Sequence, residues 1–271
     1  TSSLPVEVDF KGFCFRFLQQ LRAAYSGKDE SPVHFHYVAP SFWAWKGGEE
    51  RLKDLSEFVD HLFCILPHED LICRSHGLSA SFVGHPIVED VLDSNSKLKI
   101  KGNAERFHSQ FSVPNDGLTL SVLPGSRLQE VKKMLPIFST TFKLLQKSFP
   151  DLTTAIHVAP NKLVENDITN LLENWPVPHV LVPGGNLYLK HDAFSASRAA
   201  LCTSGTVALE LLFAGLPFMV AYRANIVTEW FIRCKARIPF ISLPNILANS
   251  PIIPEALFGK CQPSFLASVL E

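Results

Sequence analysis

Cys202-Thr203-Ser204-Gly205-Thr206-Val207-Ala208-Leu209-Glu210 joins a short apolar run, residues 199–202, to a helical run through Val207, Leu209 and Leu211. The first part reads as a buried strand and the second as the start of a helix. The turn between them is small and hydroxylated. Such a turn leaves backbone N–H groups unpaired beside the positive end of a helix dipole, which attracts phosphate, and a pyrophosphate fits it. Strand, phosphate-binding turn and helix together are the repeating unit of a nucleotide-binding α/β sheet.

The alternation continues on both sides of this turn. Residues 118–123, 153–158, 180–182 and 199–202 read as strands, with helices at 129–149, 164–174 and 187–197 between them. Beyond the turn come a helix at 206–214, a strand at 217–222, a helix at 227–235 and a strand at 240–243. Short apolar runs separated by helical spacing predict a doubly wound parallel sheet. Residues 118–271 are therefore expected to form one Rossmann-like domain.

Upstream, Ser94-Asn95-Ser96-Lys97 and Pro114-Asn115-Asp116-Gly117 interrupt the pattern, and residues 96–117 read as a linker. Residues 1–95 alternate strand and helix again, as a second parallel α/β unit, with an early helix carrying Phe10, Phe13, Cys14, Phe17, Leu18 and Leu21. Asp9 ends the first strand, on the edge where open parallel sheets bind ligands, although position alone favours a helix cap. His34 and His36 alternate with Phe35 and Tyr37 and have no third ligand at motif spacing, which favours packing over metal binding. Ala39-Pro40-Ser41-Phe42-Trp43-Ala44-Trp45 is an aromatic loop that either lines a pocket or covers the core.

Composition excludes some functions and selects none. The chain has 271 residues, 46% apolar and 19% charged, which suits two folded domains and not a disordered segment. A net charge of -1 gives no global attraction to nucleic acid or an anionic membrane. The six cysteines have neither metal-finger nor Cys-x-x-Cys spacing, so no metal is implied and a reducing compartment is expected. No apolar run is long enough to span a bilayer. With neither a leader nor an initiator Met, the chain reads as beginning inside a longer protein.

Chemistry gathers at the strand ends of the second domain. Leu123-Pro124-Gly125-Ser126-Arg127-Leu128-Gln129-Glu130 supplies a glycine for close backbone approach, a capping Ser126, and the planar fork of Arg127 for phosphate or carboxylate. It matches neither the NTPase phosphate loop nor the Gly-x-Gly-x-x-Gly dinucleotide fingerprint. Glu210, four residues beyond Thr206, can accept from both hydroxyls of a ribose. Its other reading, a favourable charge near a helix start, weighs evenly until the neighbouring phosphate site is counted. Tyr222-Arg223 and the segment from Trp230 to Arg237 mix aromatics with bases, as a membrane-surface helix or an ordinary helix with a basic end would. Asn245, in Leu243-Pro244-Asn245, either reaches the crevice or turns the chain.

The motifs Ala39 to Trp45, Gly84-His85-Pro86, Leu123 to Arg127, Ser204-Gly205-Thr206 with Glu210, Tyr222-Arg223, and Leu243-Pro244-Asn245 with Pro254-Glu255 resemble, in order, those of the lipid A disaccharide synthases. The resemblance spans nearly the whole chain. It implies a GT-B fold of two Rossmann-like domains and inverting transfer from a UDP-linked diacylglucosamine to diacylglucosamine 1-phosphate, releasing UDP. No cofactor and no nucleic acid are implied; a peripheral membrane surface is. Asp9 matches the family's candidate base. Gly125, Ser126, Arg127, Ser204, Gly205 and Thr206 match its diphosphate-binding segments, Glu210 the ribose contact, and Tyr222, Arg223 and Asn245 further substrate-side positions.

The departures are as specific as the matches. Gly12 stands where bacterial members carry a second acid, His68 where a Phe is usual, and Phe10-Lys11-Gly12-Phe13 resembles plant members. Set against the family, the N-terminal glycine-rich loop and the C-terminal helices are missing. That leads us to expect an incomplete first domain and weak or no transfer by this chain alone. The plant likeness implies a mitochondrial protein, and otherwise a bacterial one at the cytoplasmic face of the inner membrane. The alternatives are a UDP-sugar 2-epimerase of the same fold and a non-catalytic UDP-binding remnant.

Overall fold

Short apolar runs in the first third of the chain become four parallel strands, β1 (Val6–Val8), β2 (Phe35–Tyr37), β3 (His61–Cys64) and β4 (Ala80–Phe82), paired in sequence order. The computed structural model describes residues 6–8, 11–28, 31–92, 102–203 and 205–271. The chain divides into two units, residues 1–92 with 231–239 and residues 93–230 with 240–271. Helices α1 (Lys11–Ala24), α2 (Arg51–Ser56), α3 (Glu69–Ser75) and α4 (Pro86–Leu92) connect or follow the strands of the first unit.

Leu18, Leu52, Leu55, Leu62, Cys64 and Ala80 form the centre of this unit's core. Helix α1 buries Cys14 and Leu18 but leaves Phe13 and Phe17 exposed, so its buried stripe is narrower than the sequence predicts. His34 and His36 are both buried. His34 donates from Nδ1 to the Phe58 carbonyl at 2.8 Å, and the His36 ring packs 5.0 Å from that of Phe15. No metal-holding group of three or more His, Cys, Asp or Glu side chains occurs among the described residues.

The aromatic loop is a single 3₁₀ turn, Ser41–Ala44, and it is held from two directions. Trp43 donates from Nε1 to Oε1 of the buried Glu69 at 3.0 Å. From the other side comes the 231–239 segment: Arg237 N–H donates to the Ala44 carbonyl and Lys46 N–H to that of Lys235, both at 2.8 Å, with an antiparallel bridge between Trp45 and Ala236.

The second unit holds α5 (Ala104–Phe111), β5 (Thr119–Leu123), α6 (Leu128–Ser148), β6 (Thr153–His157), α7 (Lys162–Leu172), β7 (His179–Val182), α8 (Leu187–Ala196), β8 (Ala199–Cys202), α9 (Val207–Phe213) and β9 (Phe218–Tyr222). After α10 (Ile226–Lys235) come α11 (Leu243–Ala248), β10 (Glu255–Leu257) and α12 (Pro263–Leu270). Its six strands are parallel, in the order β10-β9-β8-β5-β6-β7. Counted from the unit's own first strand, this is the doubly wound 3-2-1-4-5-6 order, and it reverses between β5 and β8. Every residue of β5 and β6 is buried, as central strands covered on both faces require. Helix α6 covers them with Val131, Met134, Leu135, Phe138, Phe142 and Leu145 at helical spacing.

Two sequence expectations change here. The sixth strand is Glu255–Leu257, not residues 240–243. Ser242 stands at the N-cap position with proline in the first turn and begins α11 instead, its hydroxyl donating to Glu255 Oε1 at 2.6 Å and not to the helix. The stretch read as linker, 96–117, contains α5, which packs on α8. Asp192 of α8 accepts from Arg106 Nη2 at 2.7 Å and from Asn103 N–H at 2.6 Å, and Phe107 is buried with Val180, Val182 and Leu189. Among the described residues, no helix is long and apolar enough to cross a membrane.

Candidate functional site

Where strand order reverses, the loops leaving β5 and β8 part and open a crevice, the position at which open α/β sheets bind ligands. A cavity of about 420 Å³ occupies it, within the range of small-molecule sites. Its walls come from Gly125, Ser126 and Glu130 after β5, His157 to Pro160 at the end of β6, Pro183 to Asn186 after β7, and Thr203, Gly205, Thr206, Val207 and Glu210 after β8. Lys190 enters from α8. Gly125 has φ +117°, and a Cβ there would stand 2.2 Å from Oε2 of Glu130. Glycine is needed for that backbone and for the carboxylate beside it. Glu130 is the third residue of α6, whose cap is Arg127, and its Oε2 accepts from Ser126 N–H at 3.3 Å. The helix start thus already holds an anion of its own.

The charges around the cavity interlock. Lys190 forms an ion pair with Glu210, one turn into α9. Burial pushes the Glu130 carboxyl above its usual range, opposed by the Ser126 N–H and the Arg127 charge. Burial, and then Lys190, holds His157 down at about 3, so its imidazole is neutral near pH 7. Its Nε2 lies 3.0 Å from Ser121 Oγ, which lies 2.9 Å from Ser197 Oγ. Its Nδ1 is buried and has no hydrogen-bond partner among the described residues. The charged side chains in the lining are two carboxylates, Glu130 and Glu210, and one cation, Lys190, so a polar ligand here would be held by the backbone of the glycine turns as much as by charge; near neutrality His157 is not protonated.

Residues 2–270 match the sequence model of the family described as lipid-A-disaccharide synthetase. The chain belongs to the lipid-A-disaccharide synthase family. It is 59% identical over 275 residues to a probable mitochondrial lipid-A-disaccharide synthase of Arabidopsis thaliana, covering 98% of this chain and 59% of that one. Against the lipid-A-disaccharide synthase of Rhodospirillum centenum it is 39% identical over 271 residues, covering 100% of this chain and 63% of the relative. The chain therefore spans about three-fifths of the length of these relatives. Among solved structures, the UDP-GlcNAc 2-epimerase of Neisseria meningitidis, bound to UDP-GlcNAc, matches with a TM-score of 0.55 at 14% identity, over 93% of this chain and 64% of that one. That likeness concerns the fold, the α/β architecture of two Rossmann-like units.

The residues expected to serve a lipid-A-disaccharide synthase are not all brought together. Gly125, Ser126, Gly205, Thr206 and Glu210 line the cavity. Arg127 caps α6 with its side chain exposed, close enough for its charge to act on Glu130 and Tyr222. Arg223 donates to the Cys261 carbonyl at 3.4 Å and lies 4.0 Å from Glu229, outside the cavity lining. Asn245 does not line the cavity. It is fully buried, donates to the Ile253 carbonyl and to Glu255 Oε1, and accepts from Ile253 N–H, which engages its amide inside the fold. Asp9 and Ser204 lie outside the described residues. The sequence places the phosphate field at the helix behind Thr206, but α9 has only seven residues; the long dipole at the crevice is that of the 21-residue α6. Lys190, His157 and Asn186 carried no motif. Only the sheet order brings α8 and the end of β6 to the β8 turn.

Proposed function

We propose that this chain is the nucleotide-binding part of a hexosyltransferase that moves an acylated glucosamine from UDP to the 6-hydroxyl of acylated glucosamine 1-phosphate. The product is a β-1,6 disaccharide, with UDP released. The observation that carries the reading is the crevice at the β5/β8 reversal, in a chain of this family, lined by glycine turns and an ion pair. In it, the Gly125 to Arg127 turn and the Ser204 to Thr206 turn hold the diphosphate, and Glu210, steadied by Lys190, accepts from the ribose. The acceptor oxygen bonds to the anomeric carbon as the carbon–oxygen bond to UDP breaks, its electron pair leaving with the diphosphate. Asp9 takes the acceptor's proton. Helix α10 buries none of its residues and exposes Ile226, Val227 and Trp230, which supports a peripheral membrane setting. The Arabidopsis relative's name supports the mitochondrion.

Calorimetry with UDP tests the nucleotide site directly. Saturable binding is expected, weakened about 10- to 100-fold in Arg127→Ala, the cost of one or two charged hydrogen bonds. Unchanged affinity in that variant refutes the diphosphate assignment. Incubation with labelled UDP-diacylglucosamine and the phosphorylated acceptor tests the reaction: disaccharide supports it, while a sugar epimer as the product refutes it.

A further inference from the structure

The first unit has a groove of its own that the nucleotide reading does not use. The turn at Ser41–Ala44 and the segment entering at Phe231 enclose a space of about 400 Å³. Its apolar surface is aromatic: Phe42, Trp45 and Phe231, with the Trp45 and Phe231 rings 6.0 Å apart. Gly48 closes the back, where the backbone approaches so tightly that a Cβ would stand 2.1 Å from the Phe42 carbonyl oxygen. Around these rings stand Lys46, Arg51 and Lys235. Lys46 is anchored through Nζ to the Cys234 carbonyl at 3.0 Å, and Arg51 lies over the Phe42 ring at 5.7 Å.

The lining contains three cations and no carboxylate. Among the described residues, none of the three forms an ion pair. Of the two neighbouring acids, Glu49 is engaged by Arg237, and Glu50 is not part of the lining. Aromatic rings that bury apolar area beside unpaired cations select a molecule with an apolar tail and an anionic head. A neutral lipid leaves the cations unanswered, and an inorganic anion leaves the rings in water.

We propose that this groove binds one anionic amphiphile as a single molecule, its acyl chain along Trp45 and Phe231 and its phosphate between Arg51 and Lys235. The natural ligand we assign, the acylated sugar phosphate that accepts the transferred glucosamine, rests on the transferase reading above. The binding itself rests on the groove.

The probe is dodecyl phosphate, titrated calorimetrically below its micelle concentration, with dodecyl maltoside as the neutral counterpart and UDP titrated separately. Expected are one saturable site for dodecyl phosphate, at least ten-fold weaker binding of the maltoside, and at least ten-fold loss in the Arg51→Ala, Lys235→Ala double variant. Trp45→Ala should weaken both amphiphiles. These positions are exposed or half-exposed, and UDP affinity, unchanged in each, reports that the fold is kept. Equal affinity for the neutral amphiphile, indifference to the double variant, or binding only to phosphatidylglycerol vesicles overturns the proposal. Loss of UDP binding with dodecyl phosphate binding retained counts against the nucleotide site alone.

Discussion

The cavity of the second unit and the groove of the first are nearly equal in volume, about 420 and 400 Å³, and opposite in construction. The cavity is a by-product of topology. Strand order reverses between β5 and β8, loops diverge there, and the residues that face inward balance one another: Lys190 with Glu210, Glu130 with the helix start. The groove owes nothing to strand order. It forms where an aromatic turn meets a segment almost 190 residues later in sequence, as in the bond from Lys46 to Cys234, and its charge is all of one sign. A site built from internal pairs is pre-organised and carries its own competitor for the ligand. A site of unpaired charge has no such competitor and depends on the ligand to neutralise it.

This contrast can be broken, first and most strongly, with acid. The folded value of His157 lies at about 3, below its ordinary 6.5, so as pH falls through 6.5 the unfolded chain takes up the proton first. The stability is fully present above 6.5 and is lost towards 3, at about 1.4 kcal/mol per pH unit. Between pH 6.5 and 5 the second unit should lose roughly 2 kcal/mol by urea unfolding, a loss that His157→Gln shrinks. An undiminished acid slope in that variant means that the imidazole is not the group responsible.

A smaller effect is expected from Lys190→Ala. It leaves the Glu210 carboxylate unpaired in an anion site, and UDP should bind about ten-fold more weakly, with dodecyl phosphate unaffected. Equal loss for both ligands erases the distinction between the sites. Smallest is the pH response of the ligand itself. A diphosphate beside Glu130 raises that carboxyl further, so UDP-N-acetylglucosamine should bind about two- to three-fold more tightly at pH 5.5 than at 7.5. Glu130→Gln should flatten the trend; a slope that persists places the proton elsewhere.

Much of the second unit is legible in the sequence because its strands are short runs of apolar and β-branched residues set between helical stretches, as from Leu118 to Leu123 and from Thr153 to Val158. The edge was not legible. β10 is three residues long, while Phe240 to Leu243 runs into the proline turn that starts α11, with Ser242 tied to Glu255. Site residues divide in the same way. Gly125, Ser126 and Glu210 follow strand ends and were found by position. His157 also ends a strand but offers no composition signal, and Lys190 lies in the first turn of α8, where nothing in the local sequence announces its ion pair with Glu210 of α9. Asn245 misled because an amide after a strand-like run looks available. Its partners, the Ile253 backbone and Glu255, lie eight and ten residues onward and give no local sign of their claim on it.

The carboxylate at the start of α6 also acts as a filter. Glu130 occupies the backbone donor that a small free anion would seek, and inorganic phosphate brings nothing else with which to displace it. On the proposed reading, a nucleotide brings a base and a ribose that would take hold elsewhere in the crevice, towards His157 and Glu210, so its diphosphate would arrive already tethered. On that reading the helix start would be kept from answering free phosphate and reserved for phosphate attached to something larger. Millimolar phosphate is accordingly expected to leave UDP titrations almost unmoved in the parent chain and to compete visibly once Glu130 is replaced by alanine.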